Sequence, residues 1–476
     1  MDLKGKRVLV VGLGRSGLAA ALFLRRQGAQ VTVSDVRSAK ALEHEIPMLL
    51  EEGIAVEAGG HGLLTFRRQD LLVLSPGVSL DTPEIRQVQA FGQTILGEVE
   101  LASRFLQGRT IAITGSNGKT TTTTLIGAIL AAAGLPTLIG GNIGIPVVAL
   151  TEQSRPDGWN VLEISSFQLE TIDTFRPHIA VLLNITPDHL DRHGTFDNYR
   201  IAKENIFRNQ SPDDFLVLNA DDEVAARAAA RTRSQVFWFS RTRVIRQGAF
   251  VHDGILMYRS SEQSAPEPIL PVAAIPLQGV HNLENVLAAV VTARLAGVSA
   301  ERIHATVAAF QAVEHRLEFV AAIEGVRYYN DSKATNVDAA AKAIASFPGG
   351  IHLILGGKDK DSDYRTLRPL LVDRVRAVYT IGAAAEKIET HLQGAVALHR
   401  CGTLASAVNQ ASRAARPGDT VLLAPACSSF DQFKSYEERG AHFKQLVHQL
   451  AQARTSADGQ ASEALAPQPQ GAWQNV

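Results

Sequence analysis

The sequence predicts an α/β protein of three domains built on mainly parallel sheets, and three observations carry that prediction. At 476 residues the chain exceeds what one core accommodates, and domains of about 150 residues make three the natural number. Short apolar, β-branched runs alternate with helix-length stretches, as in strand–helix–strand units. Two glycine turns, GLGRSG over 12–17 and GSNGKT over 115–120, each follow such a run and open a helix, the arrangement that presents backbone N–H groups to phosphates.

Composition narrows the class. Hydrophobic residues make up 45% and charged residues 20%, as in soluble globular proteins. Lys plus Arg number 47 against 48 Asp plus Glu, so charge balance offers no argument for nucleic acid or an anionic membrane. Two cysteines, Cys401 and Cys427, form no disulfide framework and suit a reducing cytosol. Residues 1–24 have the charge order of a signal peptide, but Gly12, Gly14, Arg15 and Gly17 interrupt it. The charge-free stretch 120–151 is long enough to span a bilayer, yet its glycines and prolines divide it into a helix, a strand and a loop.

In the first domain, residues 1–97, a strand over 7–11 runs into GLGRSG and a helix to about 27. A strand over 30–34 ends at Asp35, 18 residues past Gly17, where a ribose-binding acid often sits. A strand over 70–75 closes on Ser75-Pro76-Gly77. This is a Rossmann-like layout. Alone, GxGxxG holds NAD, another nucleotide diphosphate, or nothing.

The central domain, 98–312, reads as P-loop ATPase-like with a β extension. A strand over 109–114 delivers Gly115, Ser116, Asn117 and Gly118 as a tight turn, with Lys119 and Thr120 after it and a helix from Thr121. A lysine and a hydroxyl there reach β/γ-phosphates and Mg²⁺, although Ile113 stands where a Walker A motif has its first glycine. ATP is the ligand this predicts. Glu163 ends a strand over 160–164, where it is either a hard oxygen ligand for Mg²⁺ or a solvated acid. Asp188, His189, Asp191 and His193 follow a strand over 179–184, with no zinc spacing. After a helix over 203–207 and a strand over 215–220, residues 235–270 read as short β segments. Asn282 and Asn285, three apart on a helix beginning near 277, either face an adenine edge or cap the helix.

The third domain, 313–454, is Rossmann-like again. A strand over 326–330 opens the polar loop Asp331 to Asn336, and a strand over 351–355 ends in Gly356-Gly357-Lys358-Asp359-Lys360. Strands over 377–381 and 420–423 follow, the last emptying into Pro425 to Phe433 at the carboxyl edge. Cys427 has no base near it in sequence and reads as a buried thiol. Residues 455–476, rich in Ala, Ser, Gln and Pro without periodicity, read as a disordered tail.

TGSNGKTT, SSFQLE at Ser165, TPDHLDRHG at Thr186, HNLEN at His281, HRLE at His315, NDSKATN at Asn330 and SSFDQFKSYEERG at Ser428 together give the chain a resemblance to the Mur ligases, the ATP-dependent amide-forming enzymes of peptidoglycan synthesis. The resemblance runs from GLGRSG to Lys444. The DNPR sequence of the diaminopimelate- or lysine-adding member is absent; DNYR at Asp197 lies in another domain and lacks the proline.

That resemblance implies a ligase that joins D-glutamate to UDP-N-acetylmuramoyl-L-alanine through an acyl phosphate, releasing ADP and phosphate. It implies a cytoplasmic monomer with small-molecule substrates and no nucleic-acid or membrane partner. Lys119 and the turn Gly115, Ser116, Asn117, Gly118, Thr120 and Thr121 would hold ATP, with Asn282, Arg316 and Asp331 around adenine and ribose. Thr120 and Glu163 would hold one Mg²⁺, and His189 a second. Lys203, by its own sequence a surface lysine, matches the lysine that carries a carbamate. Ser16, Arg37, Ser75 and Asn142 would hold the UDP-sugar, which displaces NAD, with Arg15 left open. Lys333, Thr335, Lys360, Ser429, Phe430 and Tyr436 would form the D-glutamate pocket, with Lys358 competing with Lys360. The alternatives are a related ligase for another amino acid or a folate, and an NAD-binding regulatory protein.

Overall fold

A computed structural model describes residues 1–277, 279–311 and 313–464, with side chains as far as residue 454. In the strand Arg7–Val11 the alternation of side chains sends Val8 and Val10 into one apolar cluster, Leu9 and Val11 into another. Both faces are therefore covered, as a parallel sheet requires. That strand is central in a five-stranded parallel sheet ordered Ala55–Ala58, Gln30–Asp35, Arg7–Val11, Leu71–Leu74, Thr94–Gly97. The two outer strands escape a periodicity reading because they are four residues each, AVEA and TILG.

The second sheet has nine strands among the described residues. Its order is Glu267–Pro271, Ile255–Arg259, Gly248–His252, Gln235–Ser240, Phe215–Asn219, Ile179–Leu182, Arg109–Thr114, Trp159–Glu163, Thr137–Gly141. It is parallel from Gly248–His252 onward, and the two strands beyond are antiparallel, which is the expected β extension. The charge-free stretch is a helix, Lys119–Ala132, the strand Thr137–Gly141 and a short helix, Val147–Leu150, in place of a plain loop. No helix among the described residues is long and apolar enough to cross a membrane.

The third sheet runs Glu318–Ile323, Val326–Asn330, Thr420–Leu423, Ile351–Gly356, Val375–Ile381, Ala397–Gly402, antiparallel only in its first pair. The chain forms two compact units, one of residues 1–277 and 281–311, the other carrying the third sheet. In the first, a single apolar cluster joins Val10, Val33 and Leu101 to Ala112, Leu162 and Leu182, so two sheets share one core. The last helix is Tyr436–Ala464. Where a disordered tail was expected, the helix continues over 455–464, with no proline to interrupt it before Pro467. Residues 465–476 lie outside the described residues.

Candidate functional site

The glycine turn after Arg109–Thr114 leaves a parallel sheet at its carboxyl edge, where ligands of such sheets bind. Gly118 is the left-handed N-cap of Lys119–Ala132 at φ +86°, and a Cβ there would lie 2.2 Å from Asn285 Oδ1. Glycine is required on both counts. Asn285 Nδ2 donates to Asn282 Oδ1 at 3.0 Å, so this buried pair packs behind the turn. Asn184 fixes the turn: its Oδ1 accepts the Asn117 N–H at 2.8 Å and its carbonyl accepts the Ser116 N–H at 2.9 Å. Lys119 Nζ donates to the carbonyls of Gly115 and Ser116 at 2.8 and 2.9 Å, and Thr120 and Thr121 are buried in the first helical turn.

Lys203 is not the surface lysine its sequence suggests. It is 1% exposed, donates to the Gly115 carbonyl at 2.8 Å, and lies 4.6 Å from the ring centroid of Tyr199, one turn earlier on the helix Phe196–Glu204. Burial first, then the Lys119 ammonium, hold its pKa well below the ordinary lysine value against the pull of Asp188 and Glu163. Glu163 is likewise not a solvated acid. It is 1% exposed; Oε1 accepts from Asn142 Nδ2 at 2.8 Å, and buried Oε2 has no hydrogen-bond partner. An orphaned carboxylate oxygen beside a phosphate-type turn suits a hard divalent cation.

His189 holds the strained φ of +54° as N-cap of Leu190–His193, with its ring edge-on to Phe167 at 4.9 Å. His193 is buried between Glu170 (3.2 Å) and Ser166 Oγ (3.1 Å), and burial keeps its pKa low. It serves packing. Among the described residues the His/carboxylate group whose atoms converge is Glu314, His315 and Glu318, and there the Lys444 ammonium already bonds both carboxylates.

A cavity of about 520 Å³ opens beside this region in the same unit, lined by the GLGRSG turn, Asp35 to Arg37, Ser75 to Val78, Asn142 and Gln168. It brings together Ser16, Arg37, Ser75 and Asn142. Ser75 Oγ donates to the Gly12 carbonyl at 2.7 Å. Asp35 does not stand open to a ribose: it accepts the Leu13 N–H at 2.7 Å and pairs with Arg37 at 3.0 Å. Burial alone would raise its pKa, but the hydrogen bonds from Arg37 and Leu13 outweigh it and lower the value.

Three side chains here escaped the sequence reading. Asn184 holds the turn. The Tyr199 hydroxyl shares a hydrogen bond with Ser116 Oγ at 3.0 Å. Arg192 donates to the Val78 carbonyl at 2.9 Å, pairs with Glu170 at 2.8 Å and stacks on Phe167. The i, i+4 spacing of Tyr199 and Lys203 was the available signal; nothing local marked the other two.

In the second unit, the HRLE turn carries two non-glycine residues at positive φ, His315 (+64°) and Leu317 (+42°). Asp331 is buried, and desolvation pushes its pKa up to about 7 against the Arg316 charge and the Leu317 N–H. Lys333 Nζ lies 3.6 Å from the ring centroid of Tyr436, whose carbonyl accepts from Ser332 Oγ at 2.8 Å. The Thr335 N–H donates to the Lys333 carbonyl at 2.8 Å. Lys358 and Ser428 pair as a β-bridge, which sets the glycine turn against buried Ser429 and exposed Phe430. Lys358 is exposed and Lys360 half-buried. Cys427 is a buried thiol pushed up to about 12 by burial, with the Tyr364 hydroxyl 2.9 Å away, and no nucleophile.

Three family models match: a Mur ligase MurD-like N-terminal domain over 6–97, the Mur ligase middle domain over 113–293, and the Mur ligase glutamate ligase domain over 315–427. The chain is 72% identical to the UDP-N-acetylmuramoylalanine–D-glutamate ligase of Acidobacterium capsulatum, over 94% of this chain and 97% of the relative. It is 57% identical to that of Koribacter versatilis, over 95% and 99%. Among solved structures, a pseudomurein peptide ligase type C from Methanothermus fervidus superposes with TM-score 0.59 at 18% identity, over 94% and 100%. The MurF ligase of Thermotoga maritima in complex with ADP gives TM-score 0.59 at 16% identity, over 94% and 97%.

Proposed function

This chain belongs to the Mur ligase family of ATP-dependent ligases, and we propose that it forms the amide between UDP-N-acetylmuramoyl-L-alanine and D-glutamate, with ATP becoming ADP and phosphate. The observation that carries the proposal is Asn142. It lines the 520 Å³ cavity while its side-chain amide holds Glu163, so one residue connects a sugar-nucleotide cavity to a carboxylate suited to MgATP.

A free carboxylate is a poor acyl donor because oxide is its leaving group. Transfer of the γ-phosphoryl group to the L-alanyl carboxylate makes an acyl phosphate; the D-glutamate amine attacks its carbonyl carbon, loses a proton, and phosphate departs. The chain must align two transfers and offset crowded negative charge. Lys119 would leave its loop carbonyls for the β/γ-phosphates, with the turn amides beside it. Thr120 and Glu163 would hold one Mg²⁺, and His189 with a carbamate on Lys203 a second; the ions, when bound, neutralise phosphate oxygens. Asn282, Arg316 and Asp331 would face adenine and ribose, and Ser16, Arg37, Ser75 and Asn142 the UDP-sugar. Lys333, held over Tyr436, would meet the reacting carboxyl region. Thr335, Lys360, Ser429, Phe430 and Tyr436 would shape the amino-acid pocket, the half-buried Lys360 suiting a carboxylate clamp better than exposed Lys358.

We assign 1–97 to the UDP-sugar, 98–312 to ATP and 313–454 to the amino acid, in a cytoplasmic monomer. Amino-acid-dependent phosphate release with UDP-N-acetylmuramoyl-L-alanine tests the reading. D-Glutamate is expected to exceed L-glutamate, L-alanine and diaminopimelate; a preference for any of these would overturn the acceptor assignment.

A further inference from the structure

The cavity between the GLGRSG turn and Asn142 has two arginines in its wall, Arg15 and Arg37, and they are in opposite electrostatic situations. Arg37 is committed: Nε and Nη2 both donate to the Asp35 carboxylate, at 3.1 and 3.0 Å. Its charge is cancelled. Arg15 donates through Nη2 to the carbonyl of Gly144 at 2.9 Å, a neutral acceptor, and no carboxylate pairs with it among the described residues. It is exposed.

Arg15 also begins the twelve-residue helix Arg15–Arg26, whose N-cap is Gly14, with no capping side chain. First-turn amides have no acceptor within a helix. A Cβ added at Gly14 would meet nothing within 4 Å, so the N-cap itself stands in open space, and Gly14, Arg15 and Ser16 all line the cavity. An anion entering it would meet amide donors and one uncancelled guanidinium, and exchanging a carbonyl for a phosphate oxygen strengthens that guanidinium's hydrogen bond.

We propose that Arg15 is the residue that recognises the diphosphate of the sugar nucleotide, swinging from the Gly144 carbonyl onto a phosphate oxygen, while Arg37, held by Asp35, contributes no charge to that contact. This rests on reading the cavity as the UDP-sugar site.

The test compares UDP and uridine binding by calorimetry in the full-length protein and in Arg15→Gln, which keeps a donor for Gly144 but removes the charge. Wild type is expected to bind UDP more tightly than uridine. Arg15→Gln is expected to weaken UDP about tenfold and leave uridine unchanged, with an unaltered melting temperature and a matching rise in KM for the UDP substrate but not for ATP. Arg15→Lys should restore part of the loss. Equal UDP affinity in wild type and Arg15→Gln overturns the proposal alone. A wild type that binds no UDP overturns it together with the cavity assignment.

Discussion

At Lys203 burial disfavours the ammonium and so favours the neutral amine, the form whose nitrogen attacks carbon dioxide. The resulting carbamate would be an anion beside the Lys119 ammonium, an attractive pairing where two ammonium groups would repel. Lys203→Ala is expected to lower kcat about a hundredfold or more, and millimolar formate or acetate to restore a measurable part; absence of rescue would count against the carbamate. Single residues were unevenly legible. Lys119 stood out because its role depends on neighbours in sequence. Glu163 and Lys203 did not, because burial comes from strands and helices far along the chain, and a lone acid or lysine reads as solvated until those arrive. Asp35 reversed its expected part for the same reason: the Leu13 amide and Arg37, not a ribose, take its oxygens.

The glycine turn and the short helices beside it are the elements on which function turns. Gly118→Ala forces a left-handed residue against Asn285, and a loss of about 1–3 kcal/mol in stability is expected from backbone strain, with weakened ATP-analogue binding in titration. A second element, the short helix Val147–Leu150, depends on Glu98, whose Oε1 accepts the Val148 N–H at 2.7 Å while Oε2 is buried without a partner. Burial pushes the Glu98 pKa from 4.5 to about 7, against the Val148 and Val147 amides. The folded state therefore holds this proton more tightly than the unfolded state. Below about pH 4.5 no penalty arises; as pH rises through about 7 the fold loses roughly 3 kcal/mol. Glu98→Gln should remove that slope, so its melting temperature relative to wild type is expected to rise between pH 5 and pH 8. Elements with strong patterns, such as Arg7–Val11 and Arg109–Thr114, were legible to the residue. The outer strands Ala55–Ala58 and Thr94–Gly97 were not, since neighbours rather than their own composition recruit them.

At the scale of the molecule the three-sheet architecture was legible from alternation and the two glycine turns, but the partition of the core was not. The first two sheets share an apolar cluster, whereas Leu353, Leu355, Ile344 and Leu422 of the third sheet's region belong to a separate one. Calorimetry is accordingly expected to show two unfolding transitions, with UDP raising the larger. Three separable transitions would contradict a shared core.

The shared core also bears on descent. Under the proposed assignment, phosphate handling and sugar recognition lie in a body that cannot be divided without opening its interior, while the choice of amino acid lies in a body with an interior of its own. A lineage, or an engineer building chimeras, can therefore exchange the acceptor module, with its nucleotide-facing Arg316 and Asp331, at a junction near residue 312 and keep the glycine turn and the sugar cavity intact. A junction near residue 97 would cut through packed side chains. Diversity of acceptors on a conserved phosphate-transfer half is the pattern of inheritance this construction permits.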